Sequence, residues 1–227
     1  MTTSILPLPS LHGLDWDDME AVFPAAEEAF AALTADRWAL LLSLLDAVPT
    51  DPELSEMCET YDFLDKVVLH NDKEHGYRIR AHLFREGYFD RPHDHRWPFA
   101  SMILTGSYRH TQYGDNSGFA DVDPNDLRPL SVRTERPGDW YALHHTAVHS
   151  VSAEAGTLSL VLRGPAVKDS FRIIETDRSS SFTVKGAAQE TSEERAAKRM
   201  TEERLRTTID IIRAGRPNGL AAGRAPR

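Results

Sequence analysis

Residues 77–84 read YRIRAHLF and residues 157–163 read TLSLVLR. In both stretches polar and apolar side chains alternate, which is the pattern of a β-strand with one buried face. From about Lys66 to Val184, β-branched and aromatic residues recur in short runs that glycine and proline interrupt. Many short strands at this spacing predict a mainly β fold, closed as a barrel or as two sheets, because such architectures leave few exposed strand edges.

Helical patterns flank the strand-rich region. Over residues 15–64 apolar side chains recur at spacings of three and four, which predicts two amphipathic helices followed by a short third one. Over residues 191–213 the same spacing predicts a single helix, with Thr191 and Glu194 as a capping box. We expect three parts: an N-terminal helical segment packed on the barrel (1–65), the barrel itself (66–187), and a C-terminal helix with a flexible tail (188–227).

Composition excludes several classes of protein. The chain has 227 residues, of which 41% are hydrophobic and 27% charged, a balance that buries a full core and excludes a largely disordered protein. Lysine and arginine number 26 against 35 aspartates and glutamates, for a net charge of −9. An acidic chain disfavours general attraction to nucleic acid or to anionic lipid, so we expect neither partner.

Cysteine usage and hydropathy suggest a compartment. The single cysteine, Cys58, cannot form an intrachain disulfide, and the first residues lack the basic and long apolar regions of a signal peptide. No apolar run approaches the roughly 18 residues that span a bilayer. We therefore expect a cytoplasmic protein with no membrane association.

The histidines carry the main chemical signal. Six of the ten lie between His93 and His149. In the sequence PHDHR at 92–96 two imidazoles are separated by one residue, so on an extended segment they point to the same side and can bind one ion. Taken alone, a His-x-His pair is equally compatible with two exposed loop histidines.

The surrounding residues resemble the cupin superfamily. Gly87, His93-Asp94-His95 and Gly106 resemble its first signature, and Pro137-Gly138 followed by His149 resembles its second. The resemblance spans about residues 87–151. It implies a double-stranded β-helix barrel whose interior holds one metal ion, bound by His93, His95 and His149.

One departure from the cupin pattern is informative. Cupins commonly place a glutamate four or five residues after the second histidine, where this chain has Phe99 and Ala100. The remaining three-histidine set resembles the cysteine dioxygenase-like group of non-heme iron oxygenases, which implies Fe(II) as the cofactor, with Zn, Ni and Mn as alternatives. Three neutral imidazoles leave a divalent ion its full charge and open positions, which favours an anionic bidentate substrate together with O₂.

The match to thiol dioxygenases is incomplete. Those enzymes carry serine, histidine and tyrosine at alternating positions beyond the third histidine, whereas this chain has Ser159, Val161 and Arg163. A thiol substrate is therefore not favoured, and Arg163 becomes the preferred anchor for a substrate carboxylate, with a structural salt bridge as the alternative. Arg78 and Arg80 share one face of their strand and are further anchor candidates, unless that face is solvated.

Other residues are candidates for lining the cavity. If the strand after His95 continues without a bulge, Phe99 and Ser101 face inward with the ligands, either as substrate contacts or as plain barrel core. The candidate proton donors are Tyr108, Tyr141, His144 and His145. His144 or His145 is also an alternative to His149 as the third ligand.

These features predict a mononuclear iron(II) oxygenase that acts on a small amino acid or carboxylate with O₂ and without 2-oxoglutarate. A metal-dependent isomerase, lyase or decarboxylase that uses Zn, Ni or Mn as a Lewis acid remains open. A noncatalytic module that binds a small molecule remains open as well, with the helix over residues 191–213 serving a partner. A homodimer is compatible with each alternative.

Overall fold

A computed structural model of the chain describes residues 8–85, 88–115, 127–175, 180–186 and 189–217. Gly87 of the expected first signature and the expected flexible tail beyond residue 217 lie outside the described residues. Helices come first, strands follow, and helices return at the end. The helices are α1 (Met19–Ala47), α2 (Pro52–Glu56), α3 (Ser192–Lys198) and α4 (Glu202–Ala214), with 3₁₀ turns at Pro9–Leu11 and Val48–Thr50.

The strands lie between α2 and α3. They are β1 (Glu59–Thr60), β2 (Leu64–Asn71), β3 (Arg78–Phe84), β4 (Tyr88–Phe89), β5 (Phe99–Thr105), β6 (Tyr108–Asp115), β7 (Ser131–Glu135), β8 (Trp140–Leu143), β9 (Ala147–Ala153), β10 (Leu158–Arg163), β11 (Ser170–Glu175) and β12 (Ser180–Lys185).

Eight of these strands form a double-stranded β-helix. One sheet has the order β3-β10-β5-β8 and the other β4-β9-β6-β7, with antiparallel neighbours throughout. Counting β3 to β10 as strands one to eight, the orders are 1-8-3-6 and 2-7-4-5. Each strand therefore lies beside one from the other half of the chain, as in the jelly rolls of cupins. The predicted fold class is confirmed.

The sheet that contains β3, which β1 and β2 extend to six strands, separates two apolar cores. On its outer face Ile79, Ala81 and Leu83 of β3 pack in one cluster with buried residues of α1, among them Phe30 and Leu41. On its inner face a second cluster fills the barrel and includes Phe99, Ile103, Tyr141 and Val161. Because side chains alternate along β3, the polar residues between its apolar ones lie on the inner face.

The N-terminal helices agree with those predicted from the spacing of apolar residues. Asp18 caps α1 by accepting hydrogen bonds from the backbone of Glu20 and Ala21, and Asp51 caps α2 in the same way. The helix α1 breaks at Ala35–Trp38, where three residues have positive φ, so two helical segments precede α2, as the spacing predicts. In the described part of the chain, no helix has the length and apolar character that a membrane span requires.

The C-terminal region corrects one prediction. The single helix expected over residues 191–213 is divided into α3 and α4. Arg199 has an extended backbone and bridges to Glu59 of β1, while the Met200 amide donates to the carbonyl of Cys58 at 2.9 Å. Thr201 then caps α4. Pairing with β1, which local spacing does not reveal, therefore interrupts the helix.

Candidate metal centre

His93 and His149 are brought together by their backbones. The His93 amide donates to the His149 carbonyl at 2.9 Å, and the His149 amide donates to the His93 carbonyl at 3.0 Å. Residues paired directly across two antiparallel segments present their side chains on the same face. Two histidines that are 56 positions apart in sequence therefore project to one side of the same sheet.

Asp94 holds the His-x-His segment in an extended form. Its buried carboxylate accepts hydrogen bonds from Lys168 Nζ at 2.6 Å and from the Arg172 backbone amide at 2.6 Å. Because Asp94 is hydrogen-bonded to β11 and to the segment before it, His93 and His95 lie on the opposite side. His95 Nε2 is 2.8 Å from His149 Nε2.

The three imidazoles surround one point. Their ring centroids are 4.7, 4.8 and 5.0 Å apart, and their candidate ligand nitrogens all lie within 4.8 Å of one another. Nitrogens about 2.1 Å from a metal and at right angles are about 3.0 Å apart, so the set can hold one ion after small shifts. Among the described residues, no carboxylate joins this group.

Hydrogen bonds at the far side of two rings orient them for ligation. His93 Nδ1 lies 2.9 Å from the Arg91 carbonyl and 3.1 Å from Asp90 Oδ2. Both partners accept hydrogen bonds, so we assign the proton to Nδ1 and the lone pair to Nε2, which is left for a metal. His149 Nδ1 lies 3.0 Å from His110 Nε2. This outer shell is the arrangement expected around a metal-binding imidazole.

Behind His149 a buried relay runs to a carboxylate. His110 Nδ1 is 3.1 Å from Glu135 Oε1, which also accepts a 2.8 Å hydrogen bond from Arg133. The consistent assignment has His149 donating to His110, and His110 donating to Glu135. A carboxylate, that of Glu135, therefore lies behind the ligand His149 and is separated from it by His110. His110 was not identified as a site residue from the sequence. It lies two residues after Tyr108 on β6, so both side chains face the inside of the barrel.

Burial keeps His95 and His149 in the neutral form that binds metal. The pKa of His95 lies well below its ordinary value because the ring is buried and near His93. Burial and then the neighbouring histidines lower the pKa of His149 in the same way. Burial acts to raise the pKa of Glu135, but the hydrogen bond from His110 and the charge of Arg133 bring it below the usual value. The relay therefore ends in an ionised carboxylate.

Comparison with known proteins supplies relatives of the fold only. No family model matches the sequence, and no curated protein matches it. Similar solved structures include KdgF from Halomonas sp., with 16% identity over 47% of this chain and 84% of that one, TM-score 0.37. An RmlC-like cupin from Shewanella frigidimarina has 17% identity over 49% and 86%, TM-score 0.38. The DMSP lyase DddQ from Ruegeria pomeroyi has 15% identity over 48% and 51%, TM-score 0.37. These likenesses concern the barrel and carry nothing about activity.

The relay makes a testable contribution to metal binding. Glu135→Gln is expected to weaken metal affinity about 10- to 100-fold, the usual cost of losing an outer-shell partner, because the charge that orients His110 and His149 is removed. The measurement is competition for the metal with a chelator of known affinity. Glu154→Gln, an exposed change just beyond β9, is the matched control. Equal affinity in the two variants would show that the relay does not support the ligand.

Aromatic side chains close the centre on its inner side. Phe99 lies 4.5 Å from His95 and 5.7 Å from His149, and Trp97 lies 4.9 Å from His95, between ring centroids. Tyr108 donates a 2.7 Å hydrogen bond to the Tyr141 hydroxyl, and Ser101 Oγ is 3.4 Å from Tyr108.

Burial keeps the two tyrosines protonated. Burial raises the pKa of Tyr108 well above its ordinary value, with a further contribution from Tyr141. Burial raises the pKa of Tyr141 as well. The Tyr141 ring centroid is 6.4 Å from that of His149. Both phenols therefore keep their protons at neutral pH and can donate hydrogen bonds inside the barrel.

His144 and His145 are placed elsewhere. Their Nε2 atoms lie 2.7 and 3.3 Å from the carboxylate of Asp17, in the segment that precedes α1. The turn between β8 and β9 carries both rings, and His144 Nδ1 is 2.8 Å from Thr146 Oγ1. Within the described residues, neither ring contacts an imidazole of the triad formed by His93, His95 and His149. The structure thus does not bring these two candidate proton donors and alternative ligands to the metal centre.

The arginine candidates lie inside the barrel. Arg78 and Arg80 occupy the inner face of β3, and Arg163 occupies the inner end of β10, where it is 8% exposed. The guanidinium carbons of Arg80 and Arg163 each lie 5.8 Å from the Trp97 ring. Trp97 also contacts His95, so one indole lies beside both the arginines and the metal centre.

Proposed function

We propose that the chain is a mononuclear non-heme iron(II) oxygenase that acts on a small carboxylate-bearing substrate or amino acid with O₂ and without 2-oxoglutarate. The observation that carries this proposal is the convergence of three imidazoles, with no carboxylate from the described part of the chain among them. In this respect the centre resembles the cysteine dioxygenase-like group.

The charge of the ligand set favours this chemistry. Three neutral ligands leave a divalent ion two positive charges and open positions, so an anionic chelating substrate and O₂ can bind side by side. Bound iron would supply the one-electron chemistry that makes O₂ reactive toward such a substrate. A dioxygenation balances without an external reductant, because the substrate provides the electrons and takes up both oxygen atoms.

The chain's own residues have complementary tasks in this proposal. His93, His95 and His149 hold the ion, while Phe99 and the other aromatic side chains exclude water from it. The buried guanidinium of Arg163 anchors a substrate carboxylate through paired hydrogen bonds. Tyr108 and Tyr141 donate hydrogen bonds within the barrel.

Oxygen consumption distinguishes this proposal from its alternatives. Protein reconstituted anaerobically with Fe(II) is expected to consume O₂ only when the right carboxylate or amino acid is added, and in a ratio of one O₂ to one product. Zn, Ni and Mn forms should be inactive. Turnover in the absence of O₂ would instead support a Lewis-acid enzyme.

The matched control is His149→Ala, which removes a ligand but leaves the arginines in place. This variant should consume no O₂ with any of the carboxylates or amino acids tested. Failure of the wild-type protein to bind any divalent metal would contradict the proposal and favour a noncatalytic binding module.

A further inference from the structure

Three arginines meet on the inner face of β3 and β10. Arg78 lies directly across from Arg163 in the register of these strands, and Arg80 follows two residues along the same face. We refer to Arg78, Arg80 and Arg163 as the arginine pocket. Like charges directly opposite each other in a sheet are destabilising. Such a cluster needs a compensating group of opposite charge.

The described residues supply no such group. Arg78 Nε donates to the amide oxygen of Asn71 at 2.6 Å, and Arg163 Nη1 donates to the Gly164 carbonyl at 2.8 Å, and both acceptors are neutral. The Nε atoms of Arg80 and Arg163 are buried and have no hydrogen-bond partner. Across the described ranges, none of the three guanidinium groups forms an ion pair with a carboxylate.

The acidic side chains whose charges reach the pocket are already engaged. Glu53 attracts Arg78 but pairs with Lys73 at 2.5 Å. Glu59 attracts Arg78 and Arg80 at longer range. Its carboxylate lies 3.2 Å from Lys198 and 3.8 Å from Lys66, and it accepts a hydrogen bond from Tyr61 at 3.0 Å. Because both carboxylates are shared with other cations, the arginine pocket keeps an excess of positive charge.

The excess charge is energetically unfavourable without an anion. Burial, followed by repulsion from Arg80 and Arg78, lowers the pKa of Arg163 to about 8. A buried guanidinium is stable when an oxyanion receives its paired N–H groups, and otherwise leaves an uncompensated charge. The unpartnered Nε atoms are the donors that such an oxyanion would satisfy.

We propose that the arginine pocket binds a substrate group that carries two negative charges, a phosphate or a pair of carboxylates. A single carboxylate would neutralise one of the three guanidinium groups, whereas a dianion offers enough charge and acceptors for two or more of them. The other end of the same substrate reaches the triad past Trp97. This inference rests on the proposed function only for that second end, since binding of the dianion requires no metal.

Calorimetric titration with simple anions tests the pocket. Inorganic phosphate and malonate at pH 7.5 are expected to bind at least tenfold more tightly than acetate, a difference of about 1.4 kcal/mol. Phosphate and malonate form separate arms, because the tighter of the two identifies a phosphorylated or a dicarboxylic substrate. Arg163→Met should weaken dianion binding at least tenfold. Arg206→Met is the control, because Arg206 is exposed on α4 and pairs with Glu202.

Anion binding by a variant that lacks a metal ligand tests this inference separately from the proposed function. His149→Ala should lose metal yet bind dianions with unchanged affinity. Equal affinity for acetate and the dianions, or undiminished binding by folded Arg163→Met, would overturn the arginine pocket while leaving the metal centre intact. Should Arg163→Met fail to fold, Arg80→Met provides the same test from β3. If the wild-type protein bound dianions tightly but took up no metal, the arginine-pocket proposal would stand and the oxygenase proposal would be wrong.

Discussion

Alanine in place of His149 is expected to abolish stoichiometric metal binding while the barrel remains folded. The change removes one of three ligands and disconnects the ion from His110 and Glu135. The loss should therefore exceed the roughly 10- to 100-fold cost of removing an outer-shell partner alone. Metal content by elemental analysis after anaerobic loading with Fe(II) and desalting provides the measurement, with circular dichroism to check the fold. His93→Ala and His95→Ala are expected to behave in the same way.

His145→Ala is the matched control. It removes an imidazole only four residues from His149, but one whose Nε2 faces Asp17. Its metal content should equal that of the wild type. If His145→Ala lost the metal and His149→Ala retained it, the turn histidines would be the ligands and the triad would be rejected.

The alternation of side chains is what made much of this molecule predictable from its sequence. Period-two patterns in β3 and β10 indicate strands, and the same parity assigns Phe99 to the side of His95. Spacing alone could not show that His149 lies opposite His93. That pairing depends on the register between distant segments, and only the resemblance to cupins pointed to it.

Site features that depend on contacts between residues distant in sequence also could not be predicted from the sequence, because local patterns do not reveal such contacts. Glu135 reaches His110 because β7 pairs with β6, and nothing local in the sequence marks that contact. His144 and His145 look like ligands because they are near His149 in sequence, yet they lie on the turn before β9 and face Asp17. Nearness along the chain is a poor guide wherever a turn separates two residues.

A second buried network fastens the C-terminal helix to the barrel. Asp65 of β2 is fully buried and accepts hydrogen bonds from Arg204 Nε at 2.8 Å and Arg204 Nη2 at 2.5 Å. Arg85 donates at 2.7 Å, and the Thr208 hydroxyl at 3.0 Å. Burial acts to raise the pKa of Asp65, but the hydrogen bonds from Arg204 and Arg85 outweigh it and lower the pKa below the usual value. One carboxylate therefore joins β2, the end of β3 and α4.

Asp65→Asn is expected to lower the free energy of unfolding by about 3–5 kcal/mol at pH 7, because two arginines lose their buried counter-charge. Urea unfolding in the presence of a chelator measures this loss without a contribution from metal. Asp46→Asn is the control: its carboxylate pairs with Arg213 but is 59% exposed, so its loss should stay under about 1 kcal/mol.

The pH dependence of the same comparison identifies the cause. A carboxylate whose pKa is lowered by folding stabilises the native state above its unfolded pKa of about 3.9. That contribution disappears as the pH falls through the lower, folded-state pKa. The difference between wild type and Asp65→Asn should therefore be constant from pH 7 to about 5 and shrink toward pH 3. A difference that persists undiminished at pH 3 would mean that the asparagine disturbs packing, and that the charge of Asp65 does not hold α4 on the barrel.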